Sequence, residues 1–337
     1  MSIRIGLIGA GRMGKVFANT LAFTVTEVDL VAVADPSEQA LTEVSSRFGI
    51  KKAYKDYREL LDSKEVDAVV ITTPTGTHAE VIMAAAAASK NIFSEKPISQ
   101  AVKPCDDAIQ AVKQAGVKLQ MGFMRRFDPP YTVAKQKILE GAIGTPVMFK
   151  AISRDPGCPN LEFAKRVNSG GLVIDMGVHD FDLARWLMGS EITRVYTEGT
   201  CLAFPELKGV GDIDNAVINL RFASEAVGNI DTSRNAVYGY DIRTEVLGTS
   251  GSLWIGYLQQ TPMLILNKQG VTHDVVPFFM ERFGIAYAEE VRAFVKSILN
   301  NTDPSPTGAD ARAATVAGIA ATLSLDEQRP VLISEIK

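Results

Sequence analysis

The chain begins with short apolar runs that alternate with longer segments of helical periodicity. The apolar runs predict strands at residues 3–8, 29–34, 68–71, 91–94 and 118–121. The segments between them predict helices from about residue 12 to 21 and at 38–48, 77–88 and 102–115. Strands that alternate with helices in this way form a doubly wound parallel sheet. We therefore predict a Rossmann domain over residues 1–122.

The pattern changes after residue 122, where the strict alternation stops. A helix is predicted at 131–140, and strands at 146–153, 194–203, 214–222, 226–234, 241–248, 252–257, 263–266 and 271–276. Helices return at 287–299 and 309–323, the first after an aromatic-rich loop at 277–283. We predict a second domain, 123–337, with a large, mostly antiparallel open sheet and helices on one face. The uncovered face is expected to form an interface between identical subunits.

A helix predicted between Gly170 and Trp186 carries most of the candidate chemistry. Asp175, His179, Asp182 and Trp186 fall on it at roughly 0°, 40°, −20° and 20°. The other faces are mostly apolar, so this stripe predicts a polar pocket opposite. A lone histidine is more often a satisfied core residue, but a carboxylate one turn earlier favours an oriented catalytic base. The stripe lacks enough ligands for zinc, and no metal site is predicted.

A glycine motif follows the first predicted strand and opens the first helix. Gly9 permits a tight turn, Gly11 admits a pyrophosphate close to the backbone, and Gly14 lets the helix approach the strand. Asp35 follows the second strand, 21 residues after Gly14, and fits the acid that binds the adenosine ribose. Its negative charge favours NAD over NADP. The alternative is that Asp35 and Ser37 only cap the next helix.

Ligands of doubly wound sheets lie beyond the carboxyl ends of the strands. One predicted strand is followed by Thr72-Thr73-Pro74 and His78, and the next by Glu95-Lys96-Pro97. The simplest alternative for Lys96 is a solvated loop lysine paired with Glu95. At this edge a lysine can instead stabilise a developing alkoxide. The predicted cofactor contacts are Gly9, Gly11, Arg12, Met13, Gly14, Asp35, Thr73, Pro74, His78, Glu95 and Lys96.

Composition excludes several classes of function. The formal net charge is −4 and no run of lysine or arginine is present, so nucleic acid is not an expected partner. The three cysteines are widely separated, which predicts free thiols in a reducing compartment. No continuous apolar stretch of about 20 residues occurs, so no membrane association is expected. We predict a cytoplasmic protein.

Several separate motifs together resemble the Gfo/Idh/MocA oxidoreductase family over nearly the whole chain. They are Gly9–Gly14, Glu95–Pro97, Gly122–Asp128 (GFMRRFD), Asp175 with His179, and Tyr238–Asp241 (YGYD). The glycine and lysine motifs mark the superfamily, whereas Met124–Arg126 and Tyr238–Asp241 look like its inositol-oxidising members. The resemblance implies that Lys96, Asp175 and His179 are the catalytic trio, and that the protein is a homotetramer.

The resemblance also implies a substrate and a reaction. The expected reaction is NAD-dependent oxidation of a secondary alcohol of a cyclic polyol, with myo-inositol converted to 2-keto-myo-inositol. Arg126, Asp155, Tyr238 and Tyr287 are implied to lie near the polyol, together with Asp175 and His179. Two alternatives stay open: a dehydrogenase for another inositol isomer or a monosaccharide, and a non-catalytic NAD-sensing regulator on the same fold.

Overall fold

The computed structural model describes residues 2–337 as fifteen strands and twelve α-helices. The strands are β1 (Ile3–Ile8), β2 (Val28–Ala34), β3 (Lys52–Tyr54), β4 (Ala68–Ile71), β5 (Asn91–Glu95), β6 (Leu119–Gly122), β7 (Pro146–Arg154), β8 (Ile192–Thr200), β9 (Asn215–Phe222), β10 (Val227–Ser233), β11 (Asp241–Gly248), β12 (Ser252–Ile255), β13 (Ile265–Asn267), β14 (Gly270–Thr272) and β15 (Val331–Leu332). The helices are α1 (Arg12–Phe23), α2 (Glu38–Phe48), α3 (Tyr57–Asp62), α4 (His78–Ala87), α5 (Val102–Ala115), α6 (Pro129–Leu139), α7 (Leu161–Ala164), α8 (Arg166–Ser169), α9 (Gly171–Asp175), α10 (Gly177–Met188), α11 (Phe279–Leu299) and α12 (Gly308–Glu327).

These elements form two compact units. Unit 1 contains the chain up to Phe127 together with Ile285–Thr315, and unit 2 contains Asp128–Gly284 together with Val316–Lys337. Part of α11 and the start of α12 thus belong with the N-terminal sheet, although the sequence placed both helices in the second domain. The division into independent domains at 1–122 and 123–337 stays a prediction.

Unit 1 is built on a six-stranded parallel sheet in the order β3-β2-β1-β4-β5-β6. The chain runs outward from β1 to β3 and then resumes on the other side at β4, so the strand order reverses between β1 and β4. Most residues of the central strands β1, β4 and β5 are buried, as expected for a parallel sheet covered on both faces. The predicted Rossmann fold is confirmed. The short, half-exposed β3 was missed because it has no apolar run.

Unit 2 contains a seven-stranded sheet in the order β12-β11-β7-β10-β9-β8-β15. Its neighbouring strands are antiparallel except for β7 and β10, which are parallel. Buried and exposed residues alternate along β9, because one face packs against α9 and α10 and the other is open. The predicted mostly antiparallel open sheet with helices on one face is confirmed.

Two segments differ from the predictions. The strands expected at 263–266 and 271–276 are β13 and β14, which form a separate hairpin of exposed residues outside the large sheet. The aromatic-rich loop expected at 277–283 ends after its second residue, Phe278, because α11 already begins at Phe279. Aromatic side chains at 278, 279 and 283 contribute to the core beside Tyr240, and this tertiary packing overrides their weak helix propensity.

The three cysteines, Cys105, Cys158 and Cys201, are free thiols, as predicted. Within residues 2–337, none of the helices combines the length and the apolar composition that a bilayer crossing requires.

Candidate functional site

The glycine motif forms a tight turn between β1 and α1 at the point where the strand order of unit 1 reverses. Gly9 has φ +102°, and a Cβ at Gly14 would lie 2.1 Å from the Gly9 carbonyl oxygen, so neither position accepts a side chain. A Cβ at Gly11 would meet nothing within 4 Å. The turn therefore leaves open space at Gly11 beside the N-terminus of α1, which fits the pyrophosphate of a dinucleotide.

Asp35 lies at the end of β2, next to this turn. Its carboxylate accepts hydrogen bonds from the backbone N–H of Ala10, at 2.7 Å, and of Ser37, at 2.8 Å. The N-cap of α2 is Ser37, whose hydroxyl accepts from Ala40 N–H. Asp35 is therefore not the cap of α2, and its negative charge lies against the glycine turn.

We expect Asp35→Ser to narrow the preference for NAD+ over NADP+. The substitution removes the negative charge that would repel a 2′-phosphate and the acceptor for the ribose hydroxyls. The ratio of kcat/KM with the two cofactors measures the effect. Glu38→Gln, a change at an exposed acid in the first turn of α2, is the control. An unchanged cofactor ratio in Asp35→Ser would contradict the ribose role.

The loop after β4 is tied to the glycine turn and to the loop after β5. Thr72 donates its hydroxyl to the carbonyl oxygen of Gly9 at 2.8 Å, a contact that the predicted site lacked. The buried ring of His78 lies between two carbonyl oxygens, those of Thr73 and Pro97, each 2.7 Å from a ring nitrogen. Burial lowers the pKa of His78, and a neutral ring donates a hydrogen bond to only one of these two carbonyl oxygens. His78 thus braces two loops, and its direct contact with a cofactor stays a prediction.

Lys96 follows β5 directly, in a turn closed by a cis Lys96–Pro97 peptide bond. The backbone N–H of Lys96 donates to the Glu95 side chain at 3.2 Å. Glu95 is itself buried, so it does not form the solvated surface pair considered for a loop lysine. These contacts fix the backbone of Lys96 at the carboxyl edge of the sheet.

The polar stripe of unit 2 is divided between two helices. Met176 N–H donates to Leu172, four residues back, whereas His179 N–H donates to Met176, three residues back. The predicted single helix over 170–186 is therefore wrong: α9 ends at Asp175 and α10 begins at Gly177, a residue of low helix propensity. His179 is 9% exposed within α10, a helix that is buried on nearly all sides.

Asp175 is held by a buried cation that the sequence did not reveal. Both terminal nitrogens of Arg234 lie 3.5 Å from Asp175 Oδ2, and one lies 3.3 Å from Asp212 Oδ2. Asp212 in turn accepts the backbone N–H of Leu172 at 2.8 Å, at the start of α9. The side chains of Arg234 and Asp212 are 2% exposed but that of Asp175 is 20% exposed. Asp175 therefore retains access for a further partner.

The sequence feature that could have indicated this arrangement is the Gly170-Gly171 pair. Both glycines have positive φ, and a Cβ at Gly171 would lie 2.7 Å from Asp212 Oδ1. No motif marks Arg234, which follows β10 and lies 59 residues from Asp175 in sequence.

The other predicted substrate residues lie in both units. In unit 2, the backbone of Asp155 bonds to Ser233 and Ala236. Tyr238 is 41% exposed, donates its hydroxyl to Asp241 and accepts from Arg154.

In unit 1, Arg126 is buried and paired with Asp310 at 3.1 Å. Burial alone would raise the pKa of Asp310, but Arg126 and hydrogen bonds from Thr307 outweigh it and lower that pKa. Tyr287 lies in α11 with its ring edge-on to Phe17 of α1, at 5.8 Å between centroids.

Within residues 2–337, no group of three or more His, Cys, Asp and Glu residues is arranged to hold a metal ion.

Sequence models of two families match the two parts of the chain. Residues 3–123 match the oxidoreductase family with an NAD-binding Rossmann fold, and residues 131–254 match the GFO/IDH/MocA C-terminal domain. The chain belongs to the Gfo/Idh/MocA oxidoreductase family. The match of the Rossmann part to an NAD-binding family agrees with the NAD cofactor predicted from the glycine turn and Asp35.

Relatives within this family match the chain over nearly its full length. The chain is 40% identical to myo-inositol 2-dehydrogenase of Thermotoga maritima, over 99% of each protein. It is 41% identical to scyllo-inositol 2-dehydrogenase (NAD(+)) of Bacillus subtilis, over 98% of this chain and 96% of that protein. The crystal structure of scyllo-inositol dehydrogenase from Lactobacillus casei with bound NAD(H) and scyllo-inositol superimposes with a TM-score of 0.95 and 33% identity, covering 99% of this chain and all of that one.

Proposed function

We propose that this protein oxidises one ring hydroxyl of an inositol with NAD+, and that myo-inositol, converted to 2-keto-myo-inositol, is its preferred substrate. The observation that carries the proposal is the match to inositol dehydrogenases over nearly the whole of both chains. The identities to a myo- and a scyllo-inositol enzyme are almost equal, so the choice of isomer needs an experiment.

The proposed chemistry divides between Lys96, Asp175 and His179. His179 accepts the hydroxyl proton, and Asp175 orients its imidazole and stabilises the protonated ring. Lys96 donates a hydrogen bond to the same oxygen while negative charge develops on it. Bound NAD+ supplies the acceptor for the hydrogen and the two electrons that leave the carbon. The partial exposure of Asp175 beside the buried Arg234 supports its role at the substrate.

The polyol is proposed to be held by polar side chains rather than by a counter-ion, because it carries hydroxyl groups and no charge. Arg126, Asp155, Tyr238 and Tyr287 are the proposed contacts. The structure adds that Arg126 is already oriented by Asp310. The cytoplasmic location and the homotetramer stay predictions; the open face of the unit 2 sheet, with exposed Val217 and Trp254, is the proposed subunit interface.

A substrate panel tests the proposal. Purified protein is incubated with NAD+ or NADP+ and with myo-, scyllo- or chiro-inositol, glucose or xylose, and formation of the reduced cofactor is followed by absorbance. We expect the highest kcat/KM with NAD+ and myo-inositol. A higher kcat/KM with another isomer or with a sugar would make that compound the preferred substrate instead. Cofactor binding without oxidation of any compound would favour the non-catalytic regulator.

A further inference from the structure

Unit 1 contains two buried carboxyl groups, that of Glu95, which directly precedes Lys96, and that of Glu290. Glu95 ends β5, and Glu290 lies in the part of α11 that belongs to the same unit. Glu290 is 0% exposed, and neither of its carboxyl oxygens has a hydrogen-bond partner among residues 2–337. The Gln120 side chain of β6 donates to the Glu290 backbone carbonyl at 2.7 Å, yet its own Oε1 also lacks a partner in the described part of the chain. Buried polar atoms without partners are rare and call for a physical explanation.

The unpaired atoms share one property: all are hydrogen-bond acceptors. An ionised carboxylate can only accept, so an ionised Glu290 would leave three buried acceptor oxygens, two of its own and Oε1 of Gln120, without a donor. A protonated carboxyl group supplies one O–H donor. An uncharged Glu290 therefore reduces the number of unmet acceptors and avoids the cost of an isolated buried charge.

The charges around the two carboxyl groups differ. Burial raises the pKa of Glu95 to about 7, while the positive charges of Lys96 and Arg12 and the hydrogen bond from Lys96 N–H act to lower it. The pKa of Glu290 is raised well above its usual range, first by burial and then by the negative charge of Glu95. The positive charges of Lys96 and Arg12 thus favour the ionised form of Glu95. Burial and the negative charge of Glu95 both favour the protonated form of Glu290.

We propose that Glu290 holds a proton and that Glu95, the ionised member of the pair, is a positioning residue for Lys96. The second part rests on the proposed function of Lys96. Protonation of Glu290 removes a like charge that would otherwise oppose ionisation of Glu95. Glu95 then presents a carboxylate to the backbone N–H of Lys96 and to the charges of Lys96 and Arg12. Glu290 itself does not need to touch substrate or cofactor.

The first experiment asks where the proton is, without any use of catalysis. Infrared spectra of the wild type and of Glu290→Gln are compared at about pH 8, where Glu95 is mostly ionised. We expect the wild type to show a carbonyl band of a protonated carboxyl group that the variant lacks. Glu289→Gln, at a half-exposed acid paired with Arg292 on the same helix, is expected to keep the band. Identical spectra for the wild type and Glu290→Gln would overturn the assignment of the proton.

The second experiment measures kcat/KM against pH with NAD+ and the best inositol. Since Glu95 loses its charge as pH falls through about 7, the wild-type rate should fall on the acid side of that pH. Glu95→Gln should remove the part of this fall that Glu95 causes and leave the part that protonation of the proposed base His179 causes. It should also lower kcat/KM at pH 8 at least about tenfold, the loss expected with a charge-assisted hydrogen bond. Glu290→Gln should keep the step at the same pH, because its amide is uncharged like the acid it replaces.

The outcomes separate the inference from the proposed function. A wild-type pH profile in Glu95→Gln would overturn the positioning role of Glu95. A step that moves to lower pH in Glu290→Gln would show that Glu290 carries a negative charge and would overturn its protonation. If no inositol is oxidised, the proposed function fails, and the infrared comparison still decides whether Glu290 holds the proton.

Discussion

His179→Ala is expected to lower kcat for inositol oxidation at least about 100-fold while the affinity for NADH stays nearly unchanged. Removal of a general base commonly costs 10²- to 10⁴-fold, because the hydroxyl proton then has no positioned acceptor. The glycine turn and Asp35 belong to unit 1, whereas His179 belongs to unit 2, so the substitution leaves the cofactor residues intact. Steady-state kinetics and a fluorescence titration with NADH measure the two effects.

His273→Ala is the matched control for this experiment. The three histidines of the chain differ in surroundings: His179 and His78 are buried, whereas His273 is exposed in the segment after β14. The control should retain the wild-type kcat. Near-normal turnover in His179→Ala would remove His179 from the mechanism, and a parallel loss of NADH affinity would indicate a structural effect instead of a lost base.

Asp128→Ala is expected to destabilise unit 2 by about 3–5 kcal/mol, the cost of leaving a buried charge without its partner. Asp128 forms two parallel hydrogen bonds with the Arg282 guanidinium, each 2.8 Å long, and both side chains are buried. The guanidinium also lies over the rings of Tyr257 and Phe283, and the Arg282 side chain is only 1% exposed. Urea unfolding followed by tryptophan fluorescence measures the change, because both tryptophans of the chain belong to unit 2.

Two variants define the origin of this destabilisation. Glu140→Ala breaks an exposed pair with Lys137 in the same unit and should cost no more than about 0.5 kcal/mol. The double variant Asp128→Ala, Arg282→Met removes the stranded charge and should recover part of the stability. If Asp128→Ala is as mild as Glu140→Ala, the buried pair does not stabilise the fold as we expect.

Local sequence was sufficient for the Rossmann part of the fold. Each central strand is a short apolar run, and each is bounded by glycine, proline or capping residues that end one element and begin the next. The glycine spacing and Asp35 are likewise local features, because a turn of fixed geometry places a few nearby residues together. In the Rossmann part, these residues contact others that are close in sequence or that lie on neighbouring strands.

Sequence was less informative for segments whose structure depends on distant packing. The hairpin β13–β14 has the composition of strands, but its residues have no core to cover and it does not join the large sheet. The first turns of α11 read as a loop because aromatic residues have modest helix propensity. The break at Met176 depends on how α9 and α10 pack, and helical periodicity alone does not show it.

The sequence by itself determined the family, the cofactor class and the identity of the candidate residues Lys96, Asp175 and His179, since short motifs carry that information. Only the tertiary structure decided the surroundings of these residues. It brought Arg234 and Asp212 to Asp175 from other elements of unit 2, and it buried Glu290 near Glu95 in unit 1. The physical reason is that charge and desolvation act through space, between groups that are far apart along the chain.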